Sequence, residues 1–265
     1  MFLEVLILGL LQGVLEWLPI SSEGNLVLLM FYLLGIEPGR ALELAVLLHL
    51  GTLLSAAIYF RREIIEALRS VKEGASHDEG RRLLLFLLIA TPLTGLIGLP
   101  LFLLAKRMAA TFGEALVALT GIALILNGLL QRGRGDTIGA RGASDLRLMD
   151  GVAVGLAQGL SALPGVSRSG ITTTLLLIRG FEGEEALRLS FLLSIPAVFS
   201  AEMGMVLLYG FPSIEVRTLL LAVVASFLSS LLSIHSLIRL ARRTKFWLLC
   251  VLLGVLSLIP LLAYL

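Results

Sequence analysis

The sequence predicts an all-α polytopic membrane protein, and three observations support this fold class. Only 15% of the 265 residues are charged and 57% are hydrophobic, with a mean hydropathy of +0.98. Soluble domains carry about 25% charged residues, so a water-exposed surface could not be covered here. Long apolar runs recur along the chain, and Pro, Gly and Ser interrupt two of them. The single cysteine, Cys250, excludes a disulfide framework.

Six apolar segments are long enough, or nearly so, to cross a bilayer, which takes about 20 residues. The two shorter ones end in arginines that can reach the membrane surface. No basic stretch precedes the first apolar run, so we expect no cleaved signal peptide. The predicted transmembrane helices are 44–60, 83–105, 115–131, 190–209, 218–238 and 246–265.

Two further apolar regions, 2–36 and 151–178, are each broken near the middle by a Pro/Gly/Ser segment. Such residues interrupt a helix, and irregular backbone survives at membrane depth only where protein or a water-filled cavity satisfies it. Each half is too short to span the bilayer, so the sequence predicts two re-entrant helix hairpins.

The two broken regions are copies of each other at an offset of 146 residues. We therefore predict a single membrane domain, 1–265, built from repeat one (1–131), a cytoplasmic linker (132–150) and repeat two (151–265). Three transmembrane helices per repeat is an odd number, so the second repeat is inverted, an architecture typical of transporters. The offset aligns Gly9, Gln12, Gly13, Ser21 and Gly24 with Gly155, Gln158, Gly159, Ser167 and Gly170.

The basic residues predict the orientation in the membrane. Sixteen of the 21 Lys and Arg residues fall on one side of this topology, and the positive-inside rule makes that side cytoplasmic. Both termini are then expected on the outer face of the cell membrane. Because topology accounts for the basic residues, nothing indicates a nucleic-acid partner.

Ionisable residues at membrane depth are costly and are functional candidates. Arg168 is the strongest, because it lies between Ser167 and Ser169 just before a predicted helical segment, 171–178. A guanidinium binds phosphate oxygens in pairs, a helix start adds N–H donors, and the two serines and Thr172 add hydroxyls. An ion pair that locks the hairpin is the structural alternative.

The first broken region carries the acidic and nucleophilic candidates. The 146-residue offset places Ser22 opposite Arg168 across one cavity, where a hydroxyl is a candidate nucleophile for phosphorus; a helix cap is the alternative for Ser22. Glu16 lies four residues after Gln12, on the same helical face. Glu16 would act as a general base or bind a divalent cation, Mg²⁺ or Ca²⁺. Glu23 would assist Glu16 or pair with Arg168.

The histidines and the remaining acid give weaker signals. His49 lies in a predicted transmembrane helix near the cavity, where a structural hydrogen bond is the usual interpretation and a direct role the alternative. Glu202 and His235 are interpreted as structural, and 61–82, with His77, as a solvated charged loop. The sequence has no zinc-site spacing and no P-loop motif.

At these residues the chain resembles the bacitracin-resistance type undecaprenyl-diphosphatase family. One shared motif runs from Gln12 through Glu16 and continues with Pro19, Ile20, Ser21 and Ser22. The second is Pro-Gly-x-Ser-Arg-Ser-Gly-x-Thr, which ends at Thr172. The resemblance also includes the run that begins at His49 and extends over essentially the whole chain.

The resemblance implies a phosphatase that removes the terminal phosphate of a polyprenyl diphosphate carrier lipid. It implies the inverted-repeat fold with an outward-opening site, Ser22 as nucleophile and Arg168 as the diphosphate clamp. Glu16, Ser167 and Thr172 would line the site, together with a divalent cation. The lipid substrate and the bilayer are the expected partners, and a homodimer is left open.

One position departs from the family pattern. Many members read Ser-Ser-Thr-Gly-His, with the histidine as acid or base, whereas this chain has Asn25 at that place. Asparagine cannot transfer a proton, so Glu23, Glu16 or His49 would take that role, and Ser21 and Asn25 are expected to contact substrate. The rival function is a lipid-phosphate flippase or anion transporter on the same scaffold.

Overall fold

The structure is a computed structural model, and it describes most of both repeats. Of the residues singled out above, Ile20, Ser21, Glu23, Gly24, His77 and Cys250 lie outside the described part, as do most of the predicted helices 115–131 and 246–265. The described residues are 2–19, 22, 25–26, 29–30, 34–36, 38–73, 78–107, 122, 125–126, 129, 139–163, 166–210, 215–243, 248, 251–252 and 254–255.

The described residues are mainly α-helical, which confirms the all-α prediction. Two short 3₁₀ turns, Ala143–Asp145 and Leu160–Ala162, flank the fifth helix. The helices are α1 (Phe2–Leu15), α2 (Pro38–Tyr59), α3 (Arg61–Glu73), α4 (Asp78–Arg107), α5 (Leu148–Gly159), α6 (Arg168–Ile178), α7 (Gly183–Tyr209) and α8 (Val216–Arg243).

Three of these helices are long and apolar enough to cross a membrane. They contain the segments Glu79–Leu104, Gly183–Leu207 and Val216–Ala241. Large apolar side chains project outward from them, such as Leu207, which is 78% exposed and suited to contact lipid. The polytopic membrane class is therefore confirmed. The predicted helices 83–105, 190–209 and 218–238 lie within α4, α7 and α8, and α2 covers nearly all of 44–60.

Three arms of the broken regions, α1, α5 and α6, are too short to cross a bilayer core of about 30 Å. At 1.5 Å per residue, α1 is about 21 Å long, α5 about 18 Å and α6 about 17 Å. The sequence predicted that the second arm restarts at 171, but α6 begins at Arg168. The reason is that the Ser167 hydroxyl caps the helix by accepting a hydrogen bond from the Gly170 N–H at 3.1 Å.

The first arm of each broken region packs against a long helix of the other repeat: α1 against α8, and α5 against α4. Glycines permit both close approaches. A Cβ atom on Gly13 would lie 2.0 Å from the Ser229 hydroxyl, and one on Gly159 would lie 2.5 Å from Cβ of Ile97. Each of these first arms therefore packs against a long helix from the other part of the chain.

The segment 61–82, expected as a solvated loop, is instead mostly helical. Apolar residues spaced three apart, Ile64 and Ala67, turn toward the core, and the charged residues lie on other faces of α3. This amphipathic spacing favours a helix over a loop. Arg188 of α7 joins the elements here, with its guanidinium 2.9 Å from Glu185, 3.5 Å from Glu79 and 3.9 Å from Glu63.

A buried ionic cluster fixes the start of repeat two. The Asp150 carboxylate is fully buried; Arg141 lies 2.5 Å from it, Arg179 pairs with it, and the Arg147 backbone N–H donates to it at 2.8 Å. Burial acts to raise the pKa of Asp150, but the hydrogen bonds from these groups outweigh it and hold that pKa below its usual range. α5 begins at Leu148, two residues before this aspartate.

Candidate active site

The two helix breaks contact each other directly. The backbone carbonyl of Leu18, in the turn after α1, accepts hydrogen bonds from the hydroxyls of Ser169 at 2.7 Å and Ser167 at 3.2 Å. These two serines lie at the start of α6, so the turn of repeat one is fastened to the first turn of α6. Both hydroxyls, expected to bind substrate, here connect the two breaks.

Glu16 lies at the centre of the polar cluster, with only 6% of its side chain exposed. One oxygen, Oε2, accepts from the Gln12 amide at 3.0 Å and the Ser22 hydroxyl at 2.8 Å, and lies 3.2 Å from His49 Nε2. The other oxygen, Oε1, accepts from Arg168 Nη2 at 2.9 Å. A single buried carboxylate therefore links the candidate nucleophile to the candidate phosphate clamp.

The peptide geometry just after α1 explains how Glu16 reaches this place. Its backbone N–H still donates to the Gln12 carbonyl at 3.0 Å, so the helical path continues for one more residue. Gln12 and Glu16 then share one face, as the four-residue spacing predicted. The chain turns immediately afterwards, over Trp17, Leu18 and Pro19, so the carboxylate is held at the end of the arm.

Arg168 is the first residue of α6, and its side chain is 12% exposed. Nη1 donates to the Ser190 carbonyl at 3.3 Å, and the guanidinium carbon lies 5.7 Å from the centre of the Trp17 ring. The N-terminus of α6 adds backbone N–H groups and the positive end of the helix dipole. The arginine and the helix start therefore form a region suited to a phosphate group.

The His49 imidazole contacts the carboxylate at the centre of the cluster. Its Nδ1 lies 2.9 Å from the Ala45 carbonyl and 3.9 Å from a carboxylate oxygen of Glu202. The opposite ring nitrogen faces Glu16, so the imidazole bridges the two carboxylates. Sequence reasoning did not connect Glu202 to the site, because α7 reaches His49 only through the tertiary packing.

The other predicted site residues occupy varied places. Thr172 is fully buried, and its hydroxyl bonds the Arg168 carbonyl at 2.8 Å and the Ser190 hydroxyl at 2.6 Å. Asn25 is helical and partly buried. His235 stacks edge-on against Tyr59 at 6.4 Å, which agrees with a structural residue.

Gln12 and Glu16, on α1 and the turn after it, carry oxygens of the kind that the expected divalent cation prefers. Gln12 Oε1 is buried without a hydrogen-bond partner, and the Glu16 carboxylate lies beside the amide nitrogen of the same side chain. Mg²⁺ and Ca²⁺ prefer such oxygen ligands, and Mg²⁺ commonly takes the rest from substrate phosphate and water. Among the residues that the structure describes, no group of three or more His, Cys, Asp or Glu side chains could hold a metal ion.

Fold and site together define a polytopic helical membrane protein with a buried carboxylate–arginine pair between two broken helices. The chain belongs to the family described as bacitracin resistance protein BacA, whose family model matches residues 5–258. It is 40% identical to an undecaprenyl-diphosphatase of Haloarcula marismortui over 262 residues, 97% of this chain and 96% of the relative. It is also 40% identical to undecaprenyl-diphosphatases of Methanococcoides burtonii, over 96% of both chains, and of Methanopyrus kandleri, over 95% and 93%.

Proposed function

We propose that the protein is a membrane phosphatase that hydrolyses a polyprenyl diphosphate of the undecaprenyl type to the monophosphate and inorganic phosphate. One observation carries the proposal: a serine hydroxyl and an arginine are held on the two oxygens of one buried carboxylate. The relatives named undecaprenyl-diphosphatase support the substrate class. The cellular role would be recycling of a carrier lipid for envelope synthesis.

Arg168 would bind the diphosphate. Two of its N–H groups bond Ser190 and Glu16, and a guanidinium carries five such donors in a planar fork. The N–H groups at the start of α6 would add to the positive potential. A diphosphate seated here would bring its terminal phosphorus toward Ser22, which bonds the same carboxylate.

Ser22 would attack the terminal phosphorus while Glu16 accepts the hydroxyl proton, since the two are already hydrogen bonded at 2.8 Å. The bond between the phosphorus and the bridging oxygen breaks, and the lipid monophosphate takes the proton from Glu16 as it leaves. Water then attacks the phosphoserine while Glu16 accepts its proton, and Glu16 returns that proton to Ser22 Oγ as inorganic phosphate is released. His49 bonds the same oxygen of Glu16 and would orient it for both steps.

A divalent cation is part of this proposal, and Glu16 with Gln12 Oε1 would hold it. When bound, it would neutralise charge on the diphosphate. Chelation with EDTA is expected to abolish phosphate release, and added Mg²⁺ or Ca²⁺ is expected to restore it. Unchanged activity after exhaustive chelation would remove the cation from the account.

The orientation in the membrane is also proposed, with the site open to the outer face and both termini outside. It rests on the positive-inside rule. The ionic clusters around Asp150 and Arg188 would then lie near the cytoplasmic surface. A homodimer is not required by this mechanism, because one chain supplies Ser22, Glu16 and Arg168.

The test is phosphate release from polyprenyl diphosphate by purified protein in detergent with Mg²⁺. Ser22→Ala and Arg168→Ala are each expected to lower the rate by roughly 10³-fold or more. Ser200→Ala is the matched control, because this serine is exposed on α7 and bonds only the Pro196 carbonyl in the described contacts. Full activity in Ser22→Ala would contradict the nucleophile assignment.

A lipid-phosphate flippase or anion transporter is the second candidate, favoured by the reciprocal packing of the two broken helices. The same preparation separates the two functions. If wild-type protein releases no phosphate but moves the substrate across liposome membranes, the transporter is correct. Phosphate release that depends on Ser22 supports the enzyme, because a carrier has no need of a nucleophile.

A further inference from the structure

Trp17 packs against the proposed phosphate clamp. The indole is almost fully buried, with 2% of the residue exposed, and the guanidinium of Arg168 lies above its ring at 5.7 Å. An aromatic face attracts a cation within about 6 Å of its centre, and Trp does so most strongly. The ring supports one face of the guanidinium, while Glu16 and Ser190 hold its edge.

The ring itself is fixed by three helices. Its N–H donates to the hydroxyl of Ser230 on α8 at 2.8 Å, and that hydroxyl is hydrogen bonded to Ser55 on α2. Phe191 on α7 meets the ring edge-to-face at 4.8 Å. The plane against which Arg168 lies is therefore determined by α2, α7 and α8 together.

The N–H bond makes this more than apolar packing. A buried indole N–H needs a partner, and Ser230 supplies it from the part of α8 that packs on Gly13. Phenylalanine at position 17 would fill most of the same space but would leave Ser230 without this donor. Mutations can therefore separate the contribution of the packed ring from that of the hydrogen bond that orients it.

We propose that Trp17, anchored through Ser230, is a positioning residue that aims Arg168 at the diphosphate. The inference rests on the proposed function only in that Arg168 binds phosphate oxygens. Trp17 acts through Arg168 and need not touch the substrate. Losing the ring should weaken diphosphate binding without removing the nucleophile or the carboxylate.

Steady-state kinetics provide the first test. Trp17→Leu should raise KM for polyprenyl diphosphate about 10-fold, while Trp17→Phe and Ser230→Ala should each raise it about 3-fold. The Trp17→Phe/Ser230→Ala double variant should match either single variant, because both remove the same hydrogen bond. Phe86→Leu is the control: Phe86 is a buried core aromatic, so its loss should lower stability and leave KM unchanged.

Fluorescence tests the same contact in a protein that keeps Trp17. The chain has two tryptophans, so Trp247→Phe leaves Trp17 as the single indole. Titration with inorganic pyrophosphate should change its emission as Arg168 turns toward the ligand, and Arg168→Ala should abolish the response. This readout needs no hydrolysis, so a protein that binds but does not hydrolyse would contradict the proposed function and leave the inference standing. A KM in Trp17→Leu within twofold of wild type, or saturating pyrophosphate binding without any change in Trp17 emission, would overturn it.

Discussion

The two broken regions share a scaffold but differ in the residues at equivalent positions. In both, a glycine-bearing arm lies against a long helix of the other repeat, Gly13 on α8 and Gly159 on α4. The glutamine that precedes each of these glycines has a different hydrogen-bond partner in the two regions. Gln12 donates to Glu16 at 3.0 Å, whereas Gln158 donates to the hydroxyl of Thr94 on α4 at 2.9 Å.

The difference shows how a repeat can become a directional site. At the offset of 146 residues, Glu16 corresponds to Ala162 and Ser22 to Arg168. The carboxylate and the hydroxyl thus belong to one helix break, and the arginine belongs to the other. The breaks are then joined through the Leu18 carbonyl, so the unlike halves form one cluster.

The largest expected effect comes from removing the carboxylate of Glu16, which has no counterpart in repeat two. Glu16→Gln should lower phosphate release by roughly 10²–10⁴-fold, because it deletes the acceptor for the Ser22 proton. Ala162→Ser, at the equivalent position in repeat two, should release phosphate at a rate within twofold of wild type. Phosphate-release rates of the two variants measure the asymmetry directly, and a Glu16→Gln enzyme within tenfold of wild type would contradict it.

A second contrast lies near the N-terminal ends of α1 and α5. The offset of 146 residues aligns exposed Glu4 of α1 with buried Asp150 of α5. Asp150→Asn should lower the free energy of unfolding by about 3 kcal/mol, because Arg141 and Arg179 would lose their buried counter-charge. Glu4→Gln should change it by less than about 0.5 kcal/mol. Denaturant titration of detergent-solubilised protein measures the free energy of unfolding of both variants. Equal decreases would show that the two positions contribute equally to stability.

The same aspartate predicts a pH dependence of stability. Its pKa is lowered in the fold, so its contribution is complete above the ordinary aspartate value of about 3.9. The contribution is lost as the pH falls through the lowered folded-state pKa. The stability difference between wild type and Asp150→Asn should therefore be constant from pH 5 to 7 and shrink in stronger acid. A difference that grows on acidification to pH 3 would reverse the sign of this linkage.

The smallest expected effect concerns the shared scaffold. Gly13→Ala and Gly159→Ala should each lower unfolding free energy by roughly 1–3 kcal/mol through overpacking. Gly13→Ala should cost more, since its Cβ would also lie 2.4 Å from the Ser226 carbonyl. Gly95→Ala on α4 is the control, because a Cβ there has nothing within 4 Å. If Gly159→Ala left the unfolding free energy unchanged, the packing of α5 on α4 would not be equivalent to that of α1 on α8.

The sequence predicted those features that depend on local chemistry. Pro, Gly and Ser located both helix breaks, and the four-residue spacing placed Gln12 and Glu16 on one face. The offset also placed Ser22 and Arg168 at equivalent positions, and the structure links them through Glu16.

Features that depend on packing between distant helices were not predicted. Trp17 reads as one more apolar residue in an apolar run, yet its partners lie on α2, α7 and α8. Glu202 reads as an isolated acid until α7 brings it to His49. The segment 61–82 was interpreted by its charge density, which obscured the helical spacing of its apolar residues.

The central claim is that repeat one supplies the nucleophile and repeat two the phosphate clamp. Rapid acid quenching with polyprenyl diphosphate labelled in the terminal phosphate tests it most directly, with peptide mass spectrometry to locate the label. The account predicts phosphate on Ser22 in wild-type protein and none in Ser22→Ala or Arg168→Ala. Label on a different residue, or rapid turnover with Ser22 replaced by alanine, would contradict the division of labour between the two breaks.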